Sequence, residues 1–438
     1  MSIGLLTLAL VLAILFFFVL GLPVAFTLSG VAMIFALFVW GPSAFSTVVH
    51  ACWGSMMNFV IVAIPLFILL GNILQHSGVA DLAYDMIHKW MGPVKGGLAM
   101  GTVLICTAIA AMVGVVGAGV VTMGVIALPA MMVRKYDRRL AMGSVMAGGA
   151  LGALIPPSIP MILFAHITAL SVGKMFAGGI IPGLILATLY ITYIGVRCLR
   201  NPKMGPAVPP EERVNWREKF VALRGSILPV ILIVGVLGSI FSGAATPTEA
   251  AAVGVGGALI CAAVNRKLDW PMIRLACYDT IRLSGMVMWI LVGAAVFTRF
   301  YMGMGAAGLV KEMVMASVLS PWAVLIMIQL SLMALGMIMD DYAVVLIAAP
   351  IYTPIIVALG FNPLWFGILF LVNLQIAYLT PPYGFALFYM KGVVSGQNIP
   401  MTEVWRAILP FIPLQIVGLA LVMIFPQLAL WLPGIILK

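Results

Sequence analysis

Apolar residues run along this chain in uninterrupted stretches of roughly 20, the length of a helix that crosses a bilayer, with none of the alternation of barrel strands. Spans are predicted at about 3–20, 23–40 and 56–76, all before the first basic residue, Lys89. A charge-free run then extends from Gly96 to Val133. Gly114, Gly117 and Gly119 interrupt its centre, and Arg134, Lys135, Arg138 and Arg139 close it. Basic residues at both ends and glycines in the middle predict a re-entrant hairpin over about 97–133 instead of one straight span. An apolar segment at about 140–170, containing Pro156-Pro157, and a span at about 175–197 follow.

Beyond a polar stretch at 197–224 the order recurs. Spans are predicted at about 225–242 and 247–265, a basic amphipathic piece at 266–283, and a span at 284–303. A second hairpin is expected at about 321–357, a segment containing Pro381-Pro382 at about 364–391, and a last span at about 407–430. The landmarks keep one offset: Pro23 and Pro247 lie 224 residues apart, Gly78 and Gly305 227, Pro129 and Pro354 225, and Pro156 and Pro381 225. Such a repeat argues for internal duplication. Each half has five crossings and a hairpin, an odd number of crossings, so the halves are expected to be inverted in the membrane. The predicted fold is an all-α polytopic membrane protein. It comprises two inverted repeats, 1–199 and 225–438, joined by a cytoplasmic linker at 200–224.

Proline lacks the amide donor and clashes with the preceding turn, so two in succession break a helix. In lipid, broken backbone survives only where it is buried in protein or lines a polar cavity. Two broken helices at matching places in two halves point to a transporter's binding site.

Composition agrees: 64% of the 438 residues are hydrophobic and 8% charged, and the mean hydropathy is +1.20, against about 25% charge in a soluble domain. The net charge of +10 does not signal nucleic acid, because the basic residues cluster in short loops beside the spans. That clustering predicts cytoplasmic 86–96, 134–139 and 197–224 and periplasmic N- and C-termini, with no cleavable signal peptide. Cys52, Cys106, Cys198, Cys261 and Cys277 have no metal or redox spacing and read as packing residues. No Walker loop, HExxH or nucleophile–histidine–acid set occurs, so neither ATP use nor enzymatic chemistry is expected.

Asp340 and Asp341 are the only charged residues between Glu312 and Lys391. An intramembrane carboxylate is costly unless it faces a cavity, pairs, or binds a cation. At the expected tip of the second hairpin they suit Na⁺, completed by carbonyls freed at the break and by Thr380. The first tip, Gly114 to Gly119, offers backbone carbonyls with Ser158 and Thr122, or else a glycine set for close helix packing. Half-helix N-termini attract anions, and those after the Pro-Pro pairs begin at Ser158 and at Tyr383 and Gly384. His166 reads as a packed core histidine, or else a substrate contact or proton relay, and Glu249 as a helix-start acid with Thr246 or Thr248 capping, or a functional group.

With these motifs placed, the chain resembles, over essentially its whole length, the large membrane subunit of a tripartite ATP-independent periplasmic (TRAP) transporter. The stretches that carry the resemblance are GLPVAFTLSG (21–30), MGVIALPAMMVRKYD (123–137), LGALIPPSIPMI (151–162), AATPTEAAAVGV (244–255), GMIMDDYAVVLIAAPIYTPI (336–355) and YLTPPYGFALF (378–388). The resemblance implies a bacterial inner-membrane elevator driven by Na⁺ at about two sites. It also implies two partners, a small four-helix membrane subunit and a periplasmic binding protein that delivers an organic acid. The sodium sites carry over to Gly114, Gly117, Gly149, Ala153 and Ser158, and to Gly336, Asp340, Asp341 and Thr380. The substrate contacts carry over to Pro156, Pro157, Ser158, Asn373, Pro381, Pro382 and Gly384. Many members have serines at the first tip where this chain reads VGVVGAGV, which favours a smaller or more apolar carboxylate. A stand-alone cation-coupled carrier or antiporter of similar fold is the alternative.

Overall fold

The computed structural model describes residues 2–437 apart from 115, 307, 311, 313–318 and 383, and every regular element among them is helical. Val115 of the first hairpin tip and Tyr383 of the second half-helix start lie outside the described residues. In chain order the helices are α1 (Ile3–Val19), α2 (Val24–Trp40), α3 (Ala44–Met56), α4 (Ala63–His76), α5 (Val79–Met91), α6 (Gly97–Val113) and α7 (Val116–Val133). They continue with α8 (Arg138–Ala150), α9 (Ile159–Ile167), α10 (Val172–Arg200), α11 (Trp216–Phe241), α12 (Pro247–Val264) and α13 (Trp270–Gly303). The last group is α14 (Pro321–Gly336), α15 (Asp341–Ala358), α16 (Pro363–Leu379), α17 (Phe385–Val393), α18 (Met401–Ile408), α19 (Ile412–Ile424) and α20 (Gln427–Ile436).

Among the described residues, nine helical stretches are long and apolar enough to cross a membrane. Four helices lie in two short-turn pairs: α6 with α7, of 17 and 18 residues, and α14 with α15, of 16 and 18. At 1.5 Å per residue the arms are about 24–27 Å long; α7 and α15 are among the nine spans, whereas α6 and α14 are shorter apolar helices. Each pair is followed by a helix that stops and restarts, α8 then α9 across Pro156-Pro157, and α16 then α17 across Pro381-Pro382. Both Pro-Pro bonds are cis.

Two expectations from the sequence are corrected, and one segment the sequence left unassigned proves helical. The piece at 266–283 and the span at 284–303 are one 34-residue helix, α13. Its only proline, Pro271, sits in the first turn, where no amide is needed, so nothing breaks the helix where its charged half meets its apolar half. The segment before 56–76 is itself helical, as α3, and a 3₁₀ turn at Phe59–Val62 precedes α4. The last span ends at Ile424, and Pro426 restarts the chain as α20.

The helices pack in two groups, or bodies, that also touch each other along α5 on α6, α4 on α6 and α13 on α15. In one, α13 packs along α2, α3 and α4, while α12 packs against α4 and α11 against α5. In the other, the hairpins and broken helices interleave: α7 packs on α8 and α17, α15 on α9, and α14 on α16. Helix α16 is the axis of that second body, buried at every position from Leu364 to Leu379. Lipid gives no hydrophobic drive between helices, so contact depends on close approach at small residues. α8 shows how: a Cβ added at Gly143 would lie 2.5 Å from the Ala407 carbonyl, and one at Gly148 2.8 Å from Cys106 Cβ.

The first body is also pinned by polar contacts. Asn72 Nδ2 donates to Thr280 Oγ1 at 2.9 Å, both buried, tying α4 to α13. Asn72→Ala is expected to destabilise the chain by about 1 kcal/mol, the usual size of an interhelical hydrogen bond in a membrane. A lower unfolding midpoint in detergent checks this, and an unchanged midpoint would show the bond contributes nothing. Glu249 closes a capping box at the start of α12, its Oε2 accepting from Thr246 N at 2.8 Å, as expected of a helix-start acid.

Candidate functional site: the cavity at the hairpin tips

The first hairpin turns at Gly114, whose φ of +66° is left-handed and free of cost only for glycine. The tip is pressed against the first helix break, for a Cβ at Gly114 would lie 2.2 Å from the Pro157 carbonyl oxygen. One turn on, Gly119 faces Gly149, where a Cβ would lie 2.8 Å from the Val120 amide nitrogen. Within the break, Ser158 Oγ donates to the Ala153 carbonyl at 2.6 Å and accepts from Met161 N at 3.4 Å, capping α9. Gly114, Gly149, Ala153, Pro157 and Ser158 therefore meet at one buried junction, with Pro156 in the same break. Gly117 is turned away from it, toward the Tyr389 ring.

The second hairpin turns through Met337–Met339, and Asp340 caps α15, its Oδ1 accepting from Ala343 N at 3.3 Å. Gly336 packs on α16, where a Cβ would lie 2.7 Å from Ala377 Cβ. At the second break Thr380 Oγ1 donates to the Ile376 carbonyl at 2.6 Å. Beyond Pro381 and Pro382 the chain folds back so that a Cβ at Gly384 would lie 2.7 Å from the Tyr378 carbonyl oxygen and 3.0 Å from that of Thr380. Asp340 and Asp341 line one cavity with Tyr378, two residues before Thr380, so this tip presents hard oxygen donors, the class that hard cations take. The first junction offers carbonyls and one hydroxyl only.

Both tips open on one cavity of about 550 Å³. The second body contributes Val116, Gly117, Ile338–Tyr342, Tyr378, Phe385 and Tyr389. The first body closes the other side with the turn Gly21–Phe26 and with Leu283, Met286, Trp289 and Ile290 of α13. Phe26 and Trp289 pack there with ring centroids 5.9 Å apart. Among the described lining residues the charged ones are Asp340 and Asp341, and none is Lys, Arg or His.

Of the residues singled out from the sequence, Gly117, Asp340 and Asp341 line this cavity. The first junction, Thr380 and Gly384 flank it. Asn373 stays inside the second body, its Nδ2 donating to the backbone and side-chain oxygens of Gln329, each at 2.6 Å. His166 ends α9 and Thr122 lies on α7, neither on the cavity wall. Sequence reading missed Tyr378, Tyr389, Trp289 and the Gly21–Phe26 wall. One signal for Trp289 was available, since membrane tryptophans favour the interfaces and this one is in mid-span.

Residues 11–428 match the family described as "Tripartite ATP-independent periplasmic transporter, DctM component". The chain is 34% identical over 406 residues to the C4-dicarboxylate TRAP transporter large permease protein DctM of Pseudomonas aeruginosa, covering 92% of this chain and 93% of that one. It is 31% identical over 433 residues to the protein of the same name from Rhodobacter capsulatus, covering 95% and 96%. The fold is similar to the crystal structure of the YdaH transporter of Alcanivorax borkumensis, with a TM-score of 0.66 at 16% identity over 92% of this chain and 91% of that one. A polytopic helical chain with paired hairpins and breaks, matched over nearly its full length to transporter permeases, belongs to the DctM component family of tripartite ATP-independent periplasmic transporters.

Proposed function

We propose that this chain is the bacterial inner-membrane carrier of a Na⁺-driven importer for a small organic acid. In this reading the body holding both hairpins and both broken helices slides as an elevator against the body built on α13. The two halves are inverted repeats, each with its own hairpin and break. A small membrane subunit steadies the scaffold, and a periplasmic protein delivers the substrate. C4-dicarboxylates head the candidate substrates, given the names of the relatives.

The observation that carries the reading is the charge of the cavity. It lies between the two bodies and is lined by two carboxylates and no basic side chain among the described residues. An anion roughly 6 Å from one carboxylate is repelled by about 3 kcal/mol at an effective dielectric of about 20. An organic acid therefore enters favourably only after cations neutralise Asp340 and Asp341. Obligatory cation binding before the anion is the essence of symport. The substrate is then held by dipoles of the half-helices and by the hydroxyls of Tyr378 and Tyr389.

Uptake of labelled C4-dicarboxylates into proteoliposomes tests this, using the chain with its small subunit and the loaded binding protein. Uptake is expected only with both the binding protein and an inward Na⁺ gradient. Uptake without the binding protein would favour a stand-alone carrier, and uptake indifferent to Na⁺ would overturn the coupling.

A further inference from the structure

We infer that a second cavity, of about 310 Å³ at the basic end of the molecule, binds the phosphate group of an anionic phospholipid. Its charged lining comes from three helices: Arg139 of α8, Arg197 of α10 and Arg406 of α18, with Asp137 the one acid among the described lining residues. Among the described residues no ion pair involves any of the three arginines. The acid is already engaged, since Asp137 Oδ1 accepts from Leu140 N at 2.9 Å as the cap of α8. Arg197 is held in place by donating to the Tyr193 hydroxyl, its guanidinium 5.6 Å from the centre of that ring. Three guanidinium groups from separate helices outnumber the single lining carboxylate, Asp137, and the excess positive charge suits a phosphate oxygen set.

The position selects a lipid over a soluble anion. Span α10 ends just beyond Arg197, and the apolar stretch Met401–Ile424 runs past Arg406. Asp137 N donates to the Met204 carbonyl at 2.9 Å, which places the cavity beside the linker and its basic residues. This is the end the positive-inside pattern assigns to the cytoplasm, where basic pockets between spans take anionic headgroups. Apart from the Tyr193 hydroxyl, the rest of the lining side chains are apolar. Phe411 packs on Tyr193 with centroids 5.2 Å apart, and Leu409 is 52% exposed at the rim. A soluble phosphate has no use for that ledge, whereas a glycerol backbone and the first acyl carbons do. α18 packs on α8, and α10 on α6, α8 and α9, all in the group with the hairpins, so the lipid would be carried by that body.

The test is binding, which is independent of transport. The full chain in detergent is titrated with phosphatidylglycerol, phosphatidylcholine or inorganic phosphate, and the unfolding midpoint and the lipid retained in native mass spectra are read. Phosphatidylglycerol is expected to raise the midpoint and to be retained, and the other two to do neither. Each arginine should contribute roughly fivefold to the affinity, so Arg139→Gln/Arg197→Gln/Arg406→Gln should abolish retention. Arg406→Gln alone, at an exposed residue, gives the same readout on a mildly altered chain should the triple variant not fold. Equal retention of phosphatidylcholine, or retention undiminished in both variants, would overturn the site. An equal response to inorganic phosphate would overturn its assignment to lipid.

Discussion

Asp340→Asn is expected to raise the Na⁺ concentration for half-maximal uptake by roughly 10- to 100-fold and to leave the folded chain intact. The argument starts from the two tasks of this side chain. Asp340 caps α15, and it lines the cavity beside Asp341. Asparagine caps a helix as well as aspartate does, so the substitution preserves the first task and removes the charge needed for the second. Losing an interaction with a charged group costs about 1.5–3 kcal/mol, which is the stated change in apparent affinity. Asp340→Ala separates the two tasks, since it should add about 1 kcal/mol of lost capping to the same loss of coupling. The double variant Asp340→Asn/Asp341→Asn should lose Na⁺-dependent uptake altogether. Unaltered Na⁺ dependence in Asp340→Asn would remove this residue from the ion site, and failure to accumulate in the membrane would make it structural.

Features that depend on local chain chemistry were legible in the sequence, and those that depend on packing were not. Two prolines in a row deny a helix its hydrogen bonds whatever surrounds them, so the interruptions at Pro156 and Pro381 could be read directly. Asp340 and Asp341 stood out because a lone charge in an apolar run has few explanations. The continuity of α13 was hidden by Arg274, Asp279 and Arg282, which made its first half look like a separate surface helix. In fact the helix runs through the polarity change unbroken. Tyr378, Tyr389 and Trp289 reach the cavity only because of which helix faces pack together, and an aromatic in an apolar run gives no sign of its facing. Asn373 adds a packing detail the sequence does not show: its Nδ2 is held by Gln329 on α14, while its Oδ1 is buried with no hydrogen-bond partner among the described residues.

Gly114→Ala is expected to reduce uptake by about tenfold or more and to lower the unfolding midpoint by a few degrees, because the first tip has no room to yield. A left-handed alanine already costs about 1–2 kcal/mol. The larger effect is steric, for its Cβ would lie 2.2 Å from the Pro157 carbonyl oxygen, a backbone atom fixed by the break. Relief requires the hairpin to retreat from the junction where Ala153 and Ser158 are joined by their hydrogen bond. Gly117→Ala should behave differently, since its Cβ would meet the Tyr389 ring at 2.7 Å, a side chain on the cavity wall. There substrate affinity should change more than the unfolding midpoint. Gly30→Ala, with nothing within 4 Å, controls for the added methyl and should be silent in both assays. If Gly114→Ala transports at the unsubstituted rate, contact between the first hairpin tip and the first break is not needed for the transport cycle. The second hairpin, with its two carboxylates, would then be the only coupling site on which the sodium reading could rest.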